Sequence, residues 1–110
     1  MHYLLDENKN PYKVSLEEGL KLYEHPEMKI VKQDRYHGDE IFISTVFLGM
    51  DHGWGDRETS DYKPILFETM IFGGEHSDFQ TRYHTYDDAL EGHQYALNLV
   101  KESLNRKKQE

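Results

Sequence analysis

The sequence predicts an α+β domain. In it, an antiparallel β-sheet, made of an N-terminal hairpin and a meander, is covered on one face by two helices as a two-layer sandwich. Three observations predict this fold. The two most apolar segments, 40–48 and 65–72, have the length and composition of strands. The connections in the strand region are short or hairpin-like, which favours antiparallel pairing. The C-terminal segment repeats apolar residues with the period of a helix. A length of 110 residues suits a single domain spanning 1–110.

The N-terminal quarter predicts a hairpin followed by a short helix. Turn-forming residues fill the middle of 3–14 and are flanked by two short apolar segments, which is typical of a hairpin. Ser15 is then a candidate N-cap, and Glu18 completes a capping box three residues later. We expect this helix to run for about three turns and to end at His25, because a residue before proline avoids the α conformation.

The middle of the chain predicts the sheet. Segments 28–36, 40–48 and 65–72 are interpreted as strands, and 79–84 as an edge strand. Residues 40–48 are mostly apolar at both odd and even positions, which predicts a central strand covered, at least in part, on both sides. We expect 40–48 and 65–72 to be antiparallel neighbours at the centre of the sheet.

The C-terminal segment predicts the longest helix, over 85–105. Thr85 is its candidate N-cap, and acidic residues follow in the first turn, where the helix dipole favours them. The helix should pack on the sheet through an apolar stripe: Ala89, Leu90, Leu97, Val100 and Leu104. Basic residues accumulate after it, and we expect a flexible basic tail at about 105–110.

Composition and charge narrow the function. The chain has 13 basic and 21 acidic residues, a net charge of −8, so we expect no direct nucleic-acid binding. It has no cysteine, which excludes disulfides, thiol nucleophiles and cysteine-based metal sites. No apolar run is long enough to span a bilayer, and the first residues lack the pattern of a signal peptide, so we expect no membrane contact and a cytoplasmic location.

The segment 49–63 is a long loop rich in glycine and charge, and loops of this length are often functional. Trp54, the only tryptophan, lies between two glycines. The glycines allow the ring to be presented to a partner, or to fold back and close the end of the sheet. The candidate binding residues are Asp51, His52, Trp54, Asp56, Arg57, Glu58 and Asp61.

Two polar residues are expected in the core. His93 falls within the apolar stripe of the last helix, and a buried ring there needs a hydrogen-bond partner. Glu68 lies in a strand between apolar neighbours. A Glu68–His93 pair would satisfy both groups, and we interpret such a pair as structural.

Three segments carry a resemblance to known proteins. They are ISTVFLGMDH at 43–52, LFETMIFGG at 66–74 and RYHTYDDALEGH at 82–93. Together they resemble a group of small uncharacterised proteins encoded by bacteriophages and prophages, over about residues 40–100. In those relatives a Gly-Pro-Pro run often precedes the second strand, whereas this chain has a charged insert at 56–63. The resemblance implies a phage context and no particular activity.

These observations favour a small acidic phage-type protein that binds a host or phage macromolecule, most simply a protein, without catalysis. Self-association is left open. The seven histidines lack the spacing of any metal motif, so we expect no metal and no cofactor. One alternative is a small enzyme, or a ligand-binding or metal-binding protein, centred on Asp51, His52, Glu68 and nearby histidines. A second alternative is a structural or accessory component of the virion.

Overall fold

The structure is a computed structural model that describes residues 1–38, 40–55 and 58–109. It is an α+β fold with six strands, two short helices and one long C-terminal helix among these residues. The elements in chain order are β1 (His2–Leu5), β2 (Pro11–Val14), α1 (Leu16–Gly19), α2 (Lys21–Glu24), a 3-10 helix (Pro26–Lys29), β3 (Ile30–Tyr36), β4 (Ile41–Phe47), β5 (Phe67–Phe72), β6 (Gln80–Tyr83) and α3 (Tyr86–Gln109).

The main sheet is an antiparallel meander in the order β3-β4-β5-β6. The two most apolar strands, β4 and β5, are its central pair, with Phe47 opposite Phe67 and Phe42 opposite Phe72. This confirms that 40–48 and 65–72 are central neighbours, and β6 lies at an edge as expected. The loop that joins β4 to β5 therefore leaves and re-enters the sheet at the end where Phe47 and Phe67 pair.

The N-terminal hairpin forms a separate two-stranded sheet instead of extending the meander. Its turn is closed by Asp6, whose carboxylate accepts hydrogen bonds from the backbone N–H groups of Asn8 and Asn10 at 2.8 and 2.9 Å. A single bridge between His2 and Met50 links it to the segment after β4.

The expected three-turn helix is broken into shorter pieces. Ser15 is the N-cap, and its hydroxyl accepts a hydrogen bond from the Glu18 N–H at 3.1 Å, as the capping box predicts. The helical path is interrupted at Leu20 and gives way after His25 to the 3-10 helix. Each piece is four residues long, so packing and not helix propensity holds this region in place.

The long helix α3 crosses one face of the main sheet. Thr85 caps it by accepting a hydrogen bond from the Asp88 N–H at 3.0 Å. Ala89, Leu97 and Val100 are buried as predicted, but Leu90 is 38% exposed because it lies beside the buried stripe. Residues 105–109 continue the helix, and Glu110, the last residue of the expected flexible basic tail at about 105–110, lies outside the described residues. Within the described ranges, no helix is both long enough and apolar enough to cross a membrane.

Two apolar clusters lie beneath α3. The first joins the hairpin and α2 to one end of the sheet, through Tyr3, Leu4, Leu22, Phe47, Leu66, Phe67 and Ala89. The second lies at the other end and consists of Ile41, Ile43, Ile71, Ala96, Leu97 and Val100. Three fully buried polar side chains lie between them, Thr45, Thr69 and His93. The core is therefore divided by a polar layer.

The opposite face of the sheet is open. In β4, the residues facing α3 are buried, whereas the alternating residues Phe42, Ser44 and Val46 are only half-buried. In β5, Phe72 is 47% exposed. The expectation that β4 is covered on both sides is therefore wrong for its second face, which no helix of the described chain covers.

Candidate functional site

The loop between β4 and β5 is held at its base by Asp51. One carboxylate oxygen, Oδ1, accepts hydrogen bonds from the backbone N–H groups of Gly53 at 2.7 Å and Ile65 at 3.0 Å. The other, Oδ2, accepts from the Tyr62 hydroxyl. Asp51 therefore ties the outgoing arm of the loop to its returning arm. A candidate binding residue on sequence grounds, it organises the loop that presents the others.

Backbone hydrogen bonds extend this anchor towards the sheet. The His52 N–H donates to the Ile65 carbonyl at 3.0 Å, and the Leu48 N–H donates to the Leu66 carbonyl at 2.7 Å. The N-terminus adds another bond, because the Asp51 N–H donates to the Met1 carbonyl at 3.4 Å. The first part of the loop is thus fixed to two other parts of the chain, the returning arm and the N-terminus.

Trp54 lies immediately beyond this anchored segment and is 91% exposed. This exposure excludes the interpretation that the ring closes the end of the sheet. Gly55 follows with a φ of +112°, a backbone conformation that side-chain-bearing residues rarely adopt. An indole with this exposure leaves more than 200 Å² of largely apolar surface in water, by a rough estimate from the size of the side chain. The loop therefore presents its largest side chain outwards.

The remaining candidate residues surround Trp54 in sequence. His52, Glu58 and Asp61 are exposed. Asp56 and Arg57 lie outside the described residues. Tyr62, which sequence analysis did not select, is half-buried and belongs to the anchor. Its position eleven residues after Asp51, across a loop, leaves no local pattern that would have identified it.

Glu68 lies on the open face of the sheet and is almost completely buried by its partners. Its Oε2 accepts hydrogen bonds from Arg82 Nε at 2.8 Å and Gln80 Nε2 at 2.7 Å, both from the neighbouring strand β6. Burial alone would raise the pKa of Glu68, but the two hydrogen bonds and the positive charge of Arg82 outweigh it and lower that pKa. Glu68 is therefore an ionised, paired carboxylate at neutral pH.

The expected Glu68–His93 pair is wrong. The two residues lie on opposite faces of the sheet, because Thr69 and not Glu68 faces α3. His93 is fully buried, and its Nε2 bonds the Asp34 carboxylate at 2.8 Å, whereas its Nδ1 bonds the Thr45 hydroxyl at 2.7 Å. The Thr45 hydroxyl also bonds that of Thr69 at 2.5 Å. Four polar side chains joined by hydrogen bonds thus form a row across β3, β4 and β5 beneath α3.

Which group donates and which accepts in each of these hydrogen bonds follows from the Asp34 carboxylate at one end. The Asp34 carboxylate only accepts, so Nε2 of His93 carries a hydrogen. In the neutral ring Nδ1 is then an acceptor, which requires the Thr45 hydroxyl to donate to it. The Thr45 oxygen is left to accept from the Thr69 hydroxyl. Each member has a partner, which is the condition for stable burial of polar groups.

These four hydrogen-bonded side chains include the residue types of a catalytic triad, an acid, a histidine and a hydroxyl, but the histidine and the hydroxyl are not accessible to a substrate. Thr45 and His93 are both 0% exposed, so neither hydroxyl nor ring can contact a substrate in this conformation. Near the chain, burial raises the pKa of the Tyr83 hydroxyl, and the Tyr83 ring lies directly against Gly92 of α3. The arrangement stabilises the contact between helix and sheet.

The residues proposed for the enzyme alternative are not gathered into a cleft. The Asp51 carboxylate accepts hydrogen bonds within the loop, and the Glu68 carboxylate is paired with Arg82. His52 is exposed. A small concavity between α2 and the end of β4 is lined by residues including Leu22 and Gly49, and none of Asp51, His52 and Glu68 lines it. Across the part of the chain that the structure describes, no three histidine, aspartate or glutamate side chains come together as a potential metal site.

The chain has no match among protein-family models, curated proteins or solved structures. The resemblance to phage-encoded proteins accordingly stays a prediction from sequence.

Proposed function

We propose that this protein acts without catalysis, by binding a host or phage protein through the Trp54 loop, which we define as residues 49–61. The observation that carries the proposal is the 91% exposure of Trp54 on a segment fixed by hydrogen bonds. Large aromatic side chains are over-represented among the residues that dominate binding energy at protein interfaces. A tryptophan that the fold leaves exposed to water fits this role.

The size of the indole makes Trp54 a large single contribution to the binding free energy. Burying about 200 Å² of largely apolar surface contributes about 5 kcal/mol of gross binding free energy. The Asp51 anchor restricts the loop before binding, so less conformational entropy is lost on association. Presentation of one large aromatic side chain beside an anchored segment lets a protein of this size bind through a small surface.

The charge of the protein indicates the character of its partner. The chain carries a net charge of −8, and two exposed acidic residues, Glu58 and Asp61, belong to the Trp54 loop. Complementary potentials accelerate association and disfavour wrong partners. The expected partner therefore has an apolar pocket for the indole with basic residues around it.

The test is affinity capture from bacterial lysate with three immobilised proteins compared by quantitative mass spectrometry. They are the natural chain, the Trp54→Ala variant and the Tyr95→Ala variant. Tyr95 is a matched control because it is an aromatic residue, 59% exposed, on α3. We expect one or more proteins to be retained by the natural chain and by Tyr95→Ala, and reduced at least about tenfold with Trp54→Ala.

Two results would contradict the proposal. One is a partner retained equally by all three proteins, which would place binding outside the Trp54 loop. The other is turnover of a small molecule that is abolished by Glu68→Gln or His52→Ala, which would favour the enzyme alternative. Circular dichroism and thermal melting of each variant show that the fold is intact before binding is compared.

A further inference from the structure

The short helices α1 and α2 expose apolar residues on their outer side. Leu16, Leu20 and Tyr23 follow one another at helical spacing and are 61%, 44% and 60% exposed. The helical path is interrupted at Leu20, but this residue keeps right-handed helical angles, with φ −63° and ψ −17°, and its N–H donates to the Leu16 carbonyl at 3.0 Å. The three side chains therefore lie on one side of the segment, and we call them the N-terminal stripe.

The neighbouring side of the same segment packs against the rest of the protein. Gly19 and Leu22 are buried there. A Cβ atom on Gly19 would lie only 2.8 Å from Cβ of His2 in the hairpin, so this close approach depends on a residue without a side chain. Because the segment turns Gly19 and Leu22 inwards, the N-terminal stripe is left in water.

The N-terminal stripe is continuous with the Trp54 loop. The Tyr23 hydroxyl donates to Sδ of Met50 at 3.6 Å, and Met50 is a residue of that loop and is 39% exposed. A bridge to His2 fixes the backbone of Met50. Trp54 follows Met50 by four residues, so their Cα atoms are at most about 14 Å apart. A partner helix of about three turns, roughly 16 Å long, is long enough to reach from one to the other.

The combined apolar surface has the size of an interface. By a rough estimate from side-chain sizes, the N-terminal stripe and Met50 leave about 400 Å² in water, and the Trp54 indole brings this to about 600 Å². The largest apolar patch of a monomeric protein is about 300–600 Å² and is often functional. Each partner of a specific complex covers about 800 Å². The stripe, Met50 and Trp54 therefore supply most of such an area.

Acidic side chains border the N-terminal stripe. Glu17 and Glu24 are exposed, and helical geometry places both beside the stripe on the side away from Gly19 and Leu22. The segment 16–29 contains four glutamates and two lysines, in a chain with a net charge of −8. Complementary charge favours a basic partner. A second copy would bring the same acidic border against this one and be repelled.

We propose that the N-terminal stripe binds a basic amphipathic helix of the same partner that the Trp54 loop binds, an inference that rests on the proposed function. The apolar side of such a helix packs on the stripe and Met50, and its basic residues lie opposite Glu17 and Glu24. The flexible thioether of Met50 adapts to the shape of the apolar residues it meets. The partner is thereby narrowed to a protein with an exposed helix that is apolar on one side and basic on the other.

Fluorescence anisotropy with labelled synthetic peptides tests this proposal. The probe is an amphipathic helix of leucine and lysine, about 14 residues long, with the leucines on one side. We expect it to bind the natural chain with a Kd below about 100 µM, and more weakly as salt is added. Two control peptides should bind at least about tenfold more weakly. One has glutamate in place of lysine, and the other has leucine and lysine in simple alternation.

Matched variants locate the binding on the protein. Tyr23→Ala and Leu20→Ala should each weaken binding of the leucine–lysine helix at least about fivefold. The controls are Tyr95→Ala and Leu90→Ala on α3, because Tyr95 is 59% exposed and Leu90 is 38% exposed, close to the values of the residues they match. These controls should change the Kd less than about twofold.

A second pair of variants tests the acidic border. Replacing Glu17 and Glu24 together with glutamine should weaken binding at least about threefold, because the lysines of the peptide lose their partners. Replacing Glu91 and Glu102, two exposed residues of α3, makes the same change of net charge and should leave the Kd within about twofold of the natural value.

Several outcomes would overturn the proposal. They are a natural chain that does not bind the leucine–lysine helix at up to about 1 mM, a control peptide that binds equally well, and folded stripe variants that bind like their α3 controls. Thermal melting shows which variants are folded, and two stripe positions keep the test usable if one variant fails. A dimer in sedimentation velocity that is lost in Tyr23→Ala would assign the stripe to a second copy instead.

Trp54→Ala separates this inference from the proposed function. If the helix contacts both surfaces, Trp54→Ala weakens it as the stripe variants do. Loss of binding with Trp54→Ala alone overturns the inference and leaves the proposal for the Trp54 loop standing. Loss with the stripe variants alone supports a helix site on the stripe and contradicts the part assigned to Trp54.

Discussion

Replacing Thr45 by valine tests the buried polar layer most directly. Valine keeps the branched shape of the side chain and removes only the hydroxyl that joins His93 to Thr69. Both partners are 0% exposed, so water does not replace the lost bonds. Nδ1 of His93 is left without a donor, and the Thr69 hydroxyl loses its bond to Thr45.

The magnitude follows from these two losses. A buried polar group left without a partner costs about 1–3 kcal/mol, and the methyl group gained by valine offsets part of this cost. We therefore expect Thr45→Val to lower the free energy of unfolding by about 2 kcal/mol. For a chain of this length, that corresponds to a decrease in melting temperature of about 8 °C.

The companion variant is Thr69→Val, which leaves the Thr45 hydroxyl donating to His93. It removes one hydrogen bond without leaving the ring unsatisfied, so it should cost about 1 kcal/mol. The double variant should cost less than the sum of the two, by about 1 kcal/mol, because the Thr69 hydroxyl has already lost its partner when Thr45 is replaced.

Urea denaturation monitored by circular dichroism measures all three variants. Ser77→Ala is the control, since Ser77 is an exposed hydroxyl residue between β5 and β6 and its replacement should change the free energy of unfolding by less than about 0.5 kcal/mol. The account of the polar layer is refuted if Thr45→Val costs no more than this control, or less than Thr69→Val.

Two further predictions concern other polar and close-packed contacts. The lowered pKa of Glu68 means that its ionised form stabilises the fold above the unfolded value of 4.5, and that this contribution is lost as pH falls through the folded value. In parallel thermal melts, Glu68→Gln should therefore be less stable than the natural chain at neutral pH and equally stable well below pH 4.5. A difference in stability that persists in acid would exclude the ion pair with Arg82 as its cause. Gly92→Ala should destabilise the fold in urea denaturation, although alanine favours helices by about 1 kcal/mol, because the added methyl group would collide with the ring of Tyr83. A stabilised Gly92→Ala variant would contradict this close approach, and a Tyr83→Leu background should remove the penalty.

The elements that sequence analysis predicted correctly are those with a local signal. The central strands β4 and β5 stand out by their apolar residues, and the caps Ser15 and Thr85 by residue type and spacing. The separate hairpin sheet and the break at Leu20 were missed because they depend on tertiary packing of short elements.

The alternation of apolar and polar residues along the strands did not identify Asp34 and Thr45 as the partners of His93, for two physical reasons. Strand β5 is apolar at both odd and even positions, so alternation does not show which side Glu68 faces. Strand β3 contains a register shift between Ile30 and Lys32. Before this shift the even-numbered residue Ile30 lies on the open face, whereas after it the even-numbered residue Asp34 lies on the face towards α3, so simple alternation along the strand does not give the face of Asp34. Thr45 was the available signal, as the polar member of an otherwise apolar inward face.

The main sheet has an unusual distribution of polarity between its two faces. A sheet covered on one side ordinarily directs apolar residues inwards and polar residues outwards. Here the covered face has a polar layer across its middle, and the open face exposes Phe72 and Ile30 at its corners. The first departure is compensated within the chain, because each group of the layer has a hydrogen-bond partner. The second has no compensation within the described chain, since no element covers those side chains. Contact with another molecule would remove that apolar surface from water.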